Sequence, residues 1–435
     1  MNFVGRTPLT ALNFSQIPHC EKPEPAKRIV FEVDPLISED FEVLSVGKAL
    51  KVLEMDFRTD PRWERFVSTH PGASIYHHPG WLSALESEYQ QKCVSLACVD
   101  EQGQVCALLP LFYTKGLSLN LGPLSTGRRL SSLPRTPMSG PLATSSQAAA
   151  AIVEYAVTLA RSQPGVQLEI KTMIADLDKA VDALTCKPWR PTYVAELPAR
   201  VEGTEWEDFW EKLRAPRSCV SCQNCRQLRF GNARRQHRVN WSVNKAVKLG
   251  LEVRDAETEE ELAAWYKLYL LTMRHNAVPP RPYRLFKSLW STLRPAGQMR
   301  LLLAELNKDG HKRLVAGSLL LQFGQTVFYA FTGCAPDDFC LHPHDILQIE
   351  AIRGACKNGF RWYDFGEVTE DHEALAQFKT KWGGDPKKLY RYYYPAPAER
   401  TSADGGRFAQ SARKIWRRLS PKATAVLGDF IYRRM

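Results

Sequence analysis

Arg361-Trp362-Tyr363-Asp364-Phe365-Gly366-Glu367, then Gln377-Phe378-Lys379-Thr380-Lys381-Trp382-Gly383-Gly384, then Tyr390-Arg391-Tyr392-Tyr393-Tyr394-Pro395 form the stretch whose reading decides the fold. In the first piece aromatic residues flank Asp364 and the run stops at Gly366, which predicts a buried strand. Asp371 to Trp382 has helical spacing: Leu375, Phe378 and Trp382 share a narrow arc, and Gly383 supplies the stop. Lys379 lies four residues after Leu375, on the same inward stripe. Desolvation penalises an unpaired buried ammonium, so such a lysine calls for a counter-charge or a reacting oxyanion. Its plain structural alternative is a lysine that extends past Phe378 to pair with Asp364 or Glu367.

Outward from this stretch, the chain has 435 residues, 44% hydrophobic and 24% charged, which suits two or three globular domains. The longest apolar runs, around Leu108 and Leu319, are too short to span a membrane. The segment Met1 to Gly47 carries no basic-then-apolar signal pattern, so the expected location is cytoplasmic. Eleven cysteines, odd in number and scattered, fit reduced thiols. Cys219, Cys222 and Cys225, with His237, resemble part of a metal site, but no second CxxC pair follows, and no metal is expected. The net charge of +11 is local: Lys212 to Leu251 holds ten basic residues and no acid, and Arg407 to Met435 holds eight against Asp429 alone. Without these two segments the remainder is slightly acidic, so two anionic contacts are expected.

Apolar periodicity from Leu251 reads as a strand, helices at Glu259 to Arg274 and Tyr283 to Thr292, and three strands at Arg300 to Leu306, Leu314 to Phe323 and Thr326 to Gly333. A helix at Asp345 to Lys357, the Asp364 strand, the Lys379 helix and a strand at Lys388 to Tyr394 follow. Asp309-Gly310 and Gly324-Gln325 mark hairpin turns. The first half repeats this order: strand Leu50 to Met55, helices Pro61 to Thr69 and Gly80 to Gln90, and strands Val94 to Val99, Val105 to Tyr113 and Ser118 to Leu124. It continues with a helix at Gln147 to Ser162, a strand at Gln167 to Lys171, a short helix near Asp178 and a strand at Tyr193 to Leu197. The fold expected is α+β, with two tandem lobes, each a mixed, mostly antiparallel sheet flanked by helices, plus a basic helical tail. The expected division is a lead-in at 1–44, a first lobe at 45–200, a basic linker at 201–250, a second lobe at 251–396 and the tail at 397–435.

This element order resembles the GNAT acyltransferase fold, and its duplication resembles the FemAB-like branch of that superfamily. The residues that carry the resemblance are Tyr76-His77-His78-Pro79-Gly80-Trp81, Leu109-Pro110-Leu111, Asp364-Phe365-Gly366, Phe378-Lys379, Trp382-Gly383 and Tyr392-Tyr393-Tyr394-Pro395. The tail from Lys414 to Pro421, followed by Leu427-Gly428, is similar to that of an exosortase-associated subgroup found with exopolysaccharide loci. The resemblance implies transfer of an acyl or aminoacyl group onto an amine, as in peptidoglycan or exopolysaccharide precursor modification. It assigns Lys379 to the tetrahedral oxyanion and places Phe378 beside the donor. Asp364 is the candidate proton acceptor, and Tyr329 and Tyr363 are candidate cleft residues, with core packing as the alternative.

Acyl-CoA enzymes of this fold carry a glycine-rich phosphate loop after the three-strand meander. Here that place reads Asp338-Phe339-Cys340-Leu341-His342-Pro343-His344-Asp345, and its first-half equivalent, Gly127-Arg128-Arg129, is more basic but also lacks the pattern. The donor expected is therefore acyl-CoA or aminoacyl-tRNA, with the absent loop favouring the latter, and the acceptor a sugar- or lipid-linked amine. A helix from Asn232 to Leu249 aligns Arg234, Arg238, Lys245 and Lys248 on one face, opposite Val239, Val243 and Val247, as a cationic stripe between the lobes. In the tail, Phe408, Ile415, Trp416 and Leu419 form an apolar side among Arg413, Lys414, Arg417 and Arg418, suited to an anionic leaflet at the inner membrane or to the protein's own surface. No contact with DNA is expected. A tRNA-binding protein or a polysaccharide-assembly scaffold with a degenerate transferase fold is the alternative to an enzyme.

Overall fold

Asp60 begins the first helix by accepting a hydrogen bond from the Arg62 amide, with Pro61 in the first turn. Similar local signals set most elements of the computed structural model. It describes residues 50–116, 127–198, 205, 233–369, 372–397 and 405–434, of which 233–236, 405–410 and 434 are described by backbone alone. All of these lie in a unit spanning Phe41–Met435, while a separate unit, Met1–Asp40, is outside the described residues.

The first half comprises β1 (Lys51–Glu54), α1 (Pro61–Thr69), α2 (Pro79–Tyr89), β2 (Cys93–Val99), β3 (Val105–Thr114), β4 (Arg128–Ser131), β5 (Leu142–Ala143), α3 (Ser146–Arg161), β6 (Val166–Thr172), α4 (Leu177–Ala180) and β7 (Thr185–Glu196). Helix α5 (Ala233–Lys248) leads to the second half: β8 (Leu251–Asp255), α6 (Glu259–His275), α7 (Tyr283–Thr292), β9 (Met299–Lys308), β10 (His311–Phe323), β11 (Thr326–Cys334), α8 (Pro343–Lys357), β12 (Trp362–Glu367), α9 (Glu373–Lys381) and β13 (Asp385–Tyr394). Helices α10 (Gly405–Arg418) and α11 (Pro421–Arg434) complete the chain. None of the described helices is long and apolar enough to cross a membrane.

The two halves share one 13-stranded sheet in the order β1-β2-β3-β4-β6-β13-β7-β12-β11-β10-β9-β8, with β5 paired to β3. Strand β13, late in the chain, pairs with β6 of the first half, and β7 of the first half pairs with β12 of the second. β13 and β7 then pair with each other, so each half lends its last strand to the other. Only β4–β6 and β11–β12 are parallel among these pairs. Periodicity finds the strands but not this exchange, because a strand's partner is set by long-range packing.

Other differences have local causes. The expected strand at Ser118 to Leu124 falls outside the described residues, and β4 is the strand seen next to β3. β7 begins well before Tyr193: Pro191 lies within the register shift between Trp189 and Thr192, where a missing N–H breaks no ladder, and Pro188 pairs in register with Tyr390. The second tail helix, α11, also lay outside the sequence reading. Ser420 accepts from the Ala423 amide and Pro421 occupies its first turn. Gly428 then lets the backbone approach Pro280, where an added Cβ would stand 2.5 Å from the carbonyl oxygen.

Three cores hold the layers. The largest lies on one sheet face, between the halves, and joins Trp63, Trp81 and Leu85 to Trp265, Phe286, Phe328 and Tyr432. On the other face, α3 covers the first half and α5 with α8 covers the second. At Gly333 a Cβ would lie 2.5 Å from the Tyr269 amide nitrogen, so its absence lets the α6 backbone rest on β11.

Candidate functional site

β12 alternates its side chains, sending Tyr363 and Phe365 into the core beneath α8 and Asp364 to the opposite, inter-half face. There Asp364 is 5% exposed and accepts from Thr192 Oγ1 at 2.6 Å and from the Gly366 amide at 2.7 Å. Thr192 belongs to β7, so the first half supplies the hydroxyl that holds the second half's carboxylate. Burial raises the Asp364 pKa, while Thr192, the Gly366 amide and the charge of Lys379 oppose the rise.

Gly366 has φ +78° and turns the chain at the strand end, bringing its carbonyl back toward α9. Lys379 is buried and donates from Nζ to the carbonyls of Gly366 at 2.8 Å and Glu367 at 3.0 Å. These carbonyl bonds replace the direct pairing with Asp364 or Glu367 anticipated as the plain alternative. Both carboxylates act on the ammonium through space. Burial lowers its pKa to about 8 in spite of them. Leu375 differs from expectation: it is 41% exposed, because among the described residues α9 packs through its C-terminal end, at Phe378 and Lys379. Phe378 packs against the core beneath α8 and carries the Lys381 ammonium 5.1 Å above its ring.

Glu367 is bound by Arg190 Nε at 2.9 Å and by Trp189 Nε1 at 3.2 Å, again from β7. Farther along the same sheet face, Glu169 and Lys171 of β6 meet Arg391 and Tyr393 of β13. Glu367 acts electrostatically on both Lys171 and Lys379, so the polar residues of the two halves form one connected set.

The other sequence candidates lie elsewhere. Tyr363 and Tyr329 belong to the core beneath α8, where the Tyr329 hydroxyl accepts from Ser318 at 3.2 Å. Helix α5 rests on that same core through Val239, Val243 and Ala246, so its basic face lies on the outer side of the second half rather than between the lobes. Val247, expected on the packed side, is exposed. Arg238 and Lys248 reach solvent and Lys245 stands 5.0 Å over the Trp241 ring, while the Arg234 side chain is outside the described residues. His77 is buried and contacts Ser74 and the Gly140 carbonyl, and His78 caps α2, both structural roles. No group of three or more potential metal ligands occurs among the described residues, and Cys219, Cys222 and Cys225 fall outside them.

A second buried ionic group ties the halves behind the site. Arg281 binds Glu88 at 3.1 Å, donates to the Arg135 carbonyl, and faces the rings of Trp81, Phe331 and Tyr432. Burial pushes Glu88 up to about 7 despite Arg281. Arg284 pairs with Asp429, fastening α11 to this group.

Strand order, the carboxylate at the end of β12 and the buried lysine on the following helix give a fold like that of FemX, with a GNAT-like domain in the second half. Residues 231–379 match the family described as Acetyltransferase (GNAT) domain. A UDP-N-acetylmuramoylpentapeptide-lysine N(6)-alanyltransferase from Weissella viridescens is 23% identical over 150 residues, 34% of this chain and 43% of the relative. The match thus spans less than half of that relative's length. The crystal structure of FemX superposes with a TM-score of 0.54 at 13% identity, covering 83% of this chain and all of the other.

Three parts of the site escaped the sequence reading. Thr192 lies one residue before the strand expected at Tyr193 to Leu197, in the part of β7 that periodicity does not reach. Glu169 and Lys171 alternate with the core residues Leu168 and Ile170, a pattern that ordinarily marks a solvated face. The other half covers that face, so both are buried. Arg281 carried no local signal.

Proposed function

We propose that this protein is an N-acyltransferase that acts on an amine of a cell-envelope or exopolysaccharide precursor, with Lys379, Asp364 and Phe378 at the reacting centre. The observation that carries the reading is the Lys379 ammonium, desolvated and held at the mouth of β12 by two carbonyls within reach of Asp364. An amine nitrogen attacks the carbonyl carbon of a thioester or ester. The C–N bond forms, the carbonyl oxygen takes the negative charge, and Lys379 stabilises it. Collapse breaks the C–S or C–O bond. Asp364 receives the proton shed by the nitrogen, and the thiolate or alkoxide leaving group is protonated in turn.

The coarse donor class is an acyl carrier, and between acyl-CoA and aminoacyl-tRNA we favour the second. The glycine-free stretch Asp338 to Asp345 supports this, as does the alanyltransferase named among the relatives. The acceptor is a sugar- or peptide-linked amine, which the same relative's name supports. Arg238, Lys245 and Lys248 on the outer face of α5, with Arg234, are assigned to the carrier's phosphates.

The tail is assigned to an anionic membrane surface on the cytoplasmic side. Ile415 and Val426 are 63% and 70% exposed, with Arg413, Lys414, Arg417, Arg418, Lys422 and Arg433 on the same two helices. The decisive experiment titrates full-length protein with acetyl-CoA and with charged tRNA, then follows label transfer to a UDP-linked muropeptide. Transfer abolished by Lys379→Ala supports the reading. Donor binding that never leads to transfer across several amine acceptors overturns it.

A further inference from the structure

Where β13 of the second half joins β6 of the first lies a buried charge cluster that the acyl-transfer chemistry does not use. The Glu169 carboxylate accepts from Arg391 Nη1 at 2.6 Å, Ser131 Oγ at 3.2 Å and Tyr393 OH at 3.3 Å. Lys171 Nζ lies 3.9 Å and Arg129 Nη1 3.8 Å from it. Burial alone would raise the Glu169 pKa, but Lys171, Arg391 and Arg129 hold it down at about 2. Three cations therefore surround one carboxylate that stays ionised. Glu367, which also acts on Lys171 through space, is itself paired with Arg190.

The donors are not used up. Lys171 spends one bond on the Leu133 carbonyl at 2.9 Å. Arg391 Nε is buried without a partner among the described residues. The Arg391 guanidinium carbon lies 3.3 Å from the centroid of the Trp189 ring, a contact that restricts where its N–H groups can point. Arg129 is the outermost of the three, with its side chain 35% exposed, and marks the open side. A surplus of two positive charges, with Lys171 buried, Arg391 largely buried and Arg129 partly exposed, is complementary to a compact dianion.

We infer that Arg129, Lys171 and Arg391 form an anion subsite for a phosphate or diphosphate group of a substrate, seated where β13 joins the first half's sheet while the acyl group reacts at Lys379. The inference rests on the proposed transferase reading for its place in catalysis, but phosphate binding itself does not depend on that reading. A phosphorylated acceptor and a phosphate-bearing donor share this chemistry. The connection through Glu367 places either within the same inter-half face as Lys379.

The test is calorimetric titration of the full chain at low salt with inorganic phosphate and inorganic pyrophosphate, with no acyl donor present. Saturable binding is expected, weakened about tenfold or more by Arg129→Gln, the loss of one charge-assisted contact, and partly restored by Arg129→Lys. Arg129 is exposed enough for these variants to fold, and thermal unfolding checks this. Competition then separates the sources: pyrophosphate displacing CoA or tRNA marks the donor, and pyrophosphate displacing a UDP-sugar marks the acceptor. Either supports the subsite. Absence of saturable binding, or equal binding by wild type and Arg129→Gln, overturns it. Transfer that fails while phosphate binds would count against the transferase reading alone.

Discussion

Thr192 and Asp364 stand 172 residues apart in the chain and 2.6 Å apart in the structure. The hydroxyl comes from a strand of the first half and the carboxylate from a strand of the second. The candidate centre is thus built by strand exchange, and its geometry depends on both halves.

Removal of the Thr192 hydroxyl tests that dependence. Thr192→Val keeps the shape and leaves Asp364 with the Gly366 amide alone. Loss of one hydrogen bond to a charged group predicts a fall in kcat of about tenfold with little change in donor KM. Thr192→Ser should restore most of the rate, and an unchanged kcat in Thr192→Val would remove Thr192 from the mechanism.

Lys379 works as a cation in the proposed chemistry, so Lys379→Ala should cost about 10²–10³ in kcat. In wild type the rate should fall as pH rises through about 8, where Lys379 loses its proton. The stability contribution runs the other way. The folded pKa lies below the ordinary 10.5, so the unfolded chain binds more protons between these values and stability rises across that window. Alkaline loss of rate without loss of fold, followed by circular dichroism, distinguishes titration from unfolding.

Glu169 sets an acid limit on stability. Its folded pKa of about 2 lies below the ordinary 4.5, so its contribution is present above 4.5 and disappears as pH falls toward 2. Glu169→Gln should flatten the decline in Tm between pH 5 and pH 3. A Tm profile parallel to wild type would show that the carboxylate is not held as described.

Breaking the Glu88–Arg281 pair from one side leaves a buried guanidinium uncompensated. Glu88→Ala is expected to cost about 3–5 kcal/mol in urea unfolding. The double replacement Glu88→Leu with Arg281→Met should recover much of that loss, since well-packed apolar pairs often match buried ionic ones. If it is no more stable than Glu88→Ala, the pair has no special coupling.

The tail prediction concerns the exposed apolar positions rather than the charges alone. Full-length protein should co-sediment with vesicles containing phosphatidylglycerol and not with pure phosphatidylcholine. Ile415→Asp together with Val426→Asp should abolish that binding. Sedimentation identical to wild type would exclude insertion of these side chains.

Much of this architecture was legible in the chain. Helices such as Pro61–Thr69 and Tyr283–Thr292 carry local signals, and Lys379 declares itself by standing near Phe378 and Trp382. The buried charges were not legible, because Glu169, Lys171 and Arg281 are covered by distant segments. The same limit applies to β13 and β7, whose partners lie in opposite halves. Local periodicity reports which face of a strand is apolar, not what covers the other face.

Exchange of the last strands also governs how such a protein can be divided or recombined. A cut in the segment joining the halves yields two fragments, each deprived of a central strand and each bearing one that fits only its counterpart. Such fragments have open ladder edges when alone and a ready template when mixed, so they should behave as complementing pieces rather than as autonomous modules. A chimaera that borrows one lobe from a relative must borrow the exchanged strand's docking surface with it. The two copies are therefore constrained to diverge together.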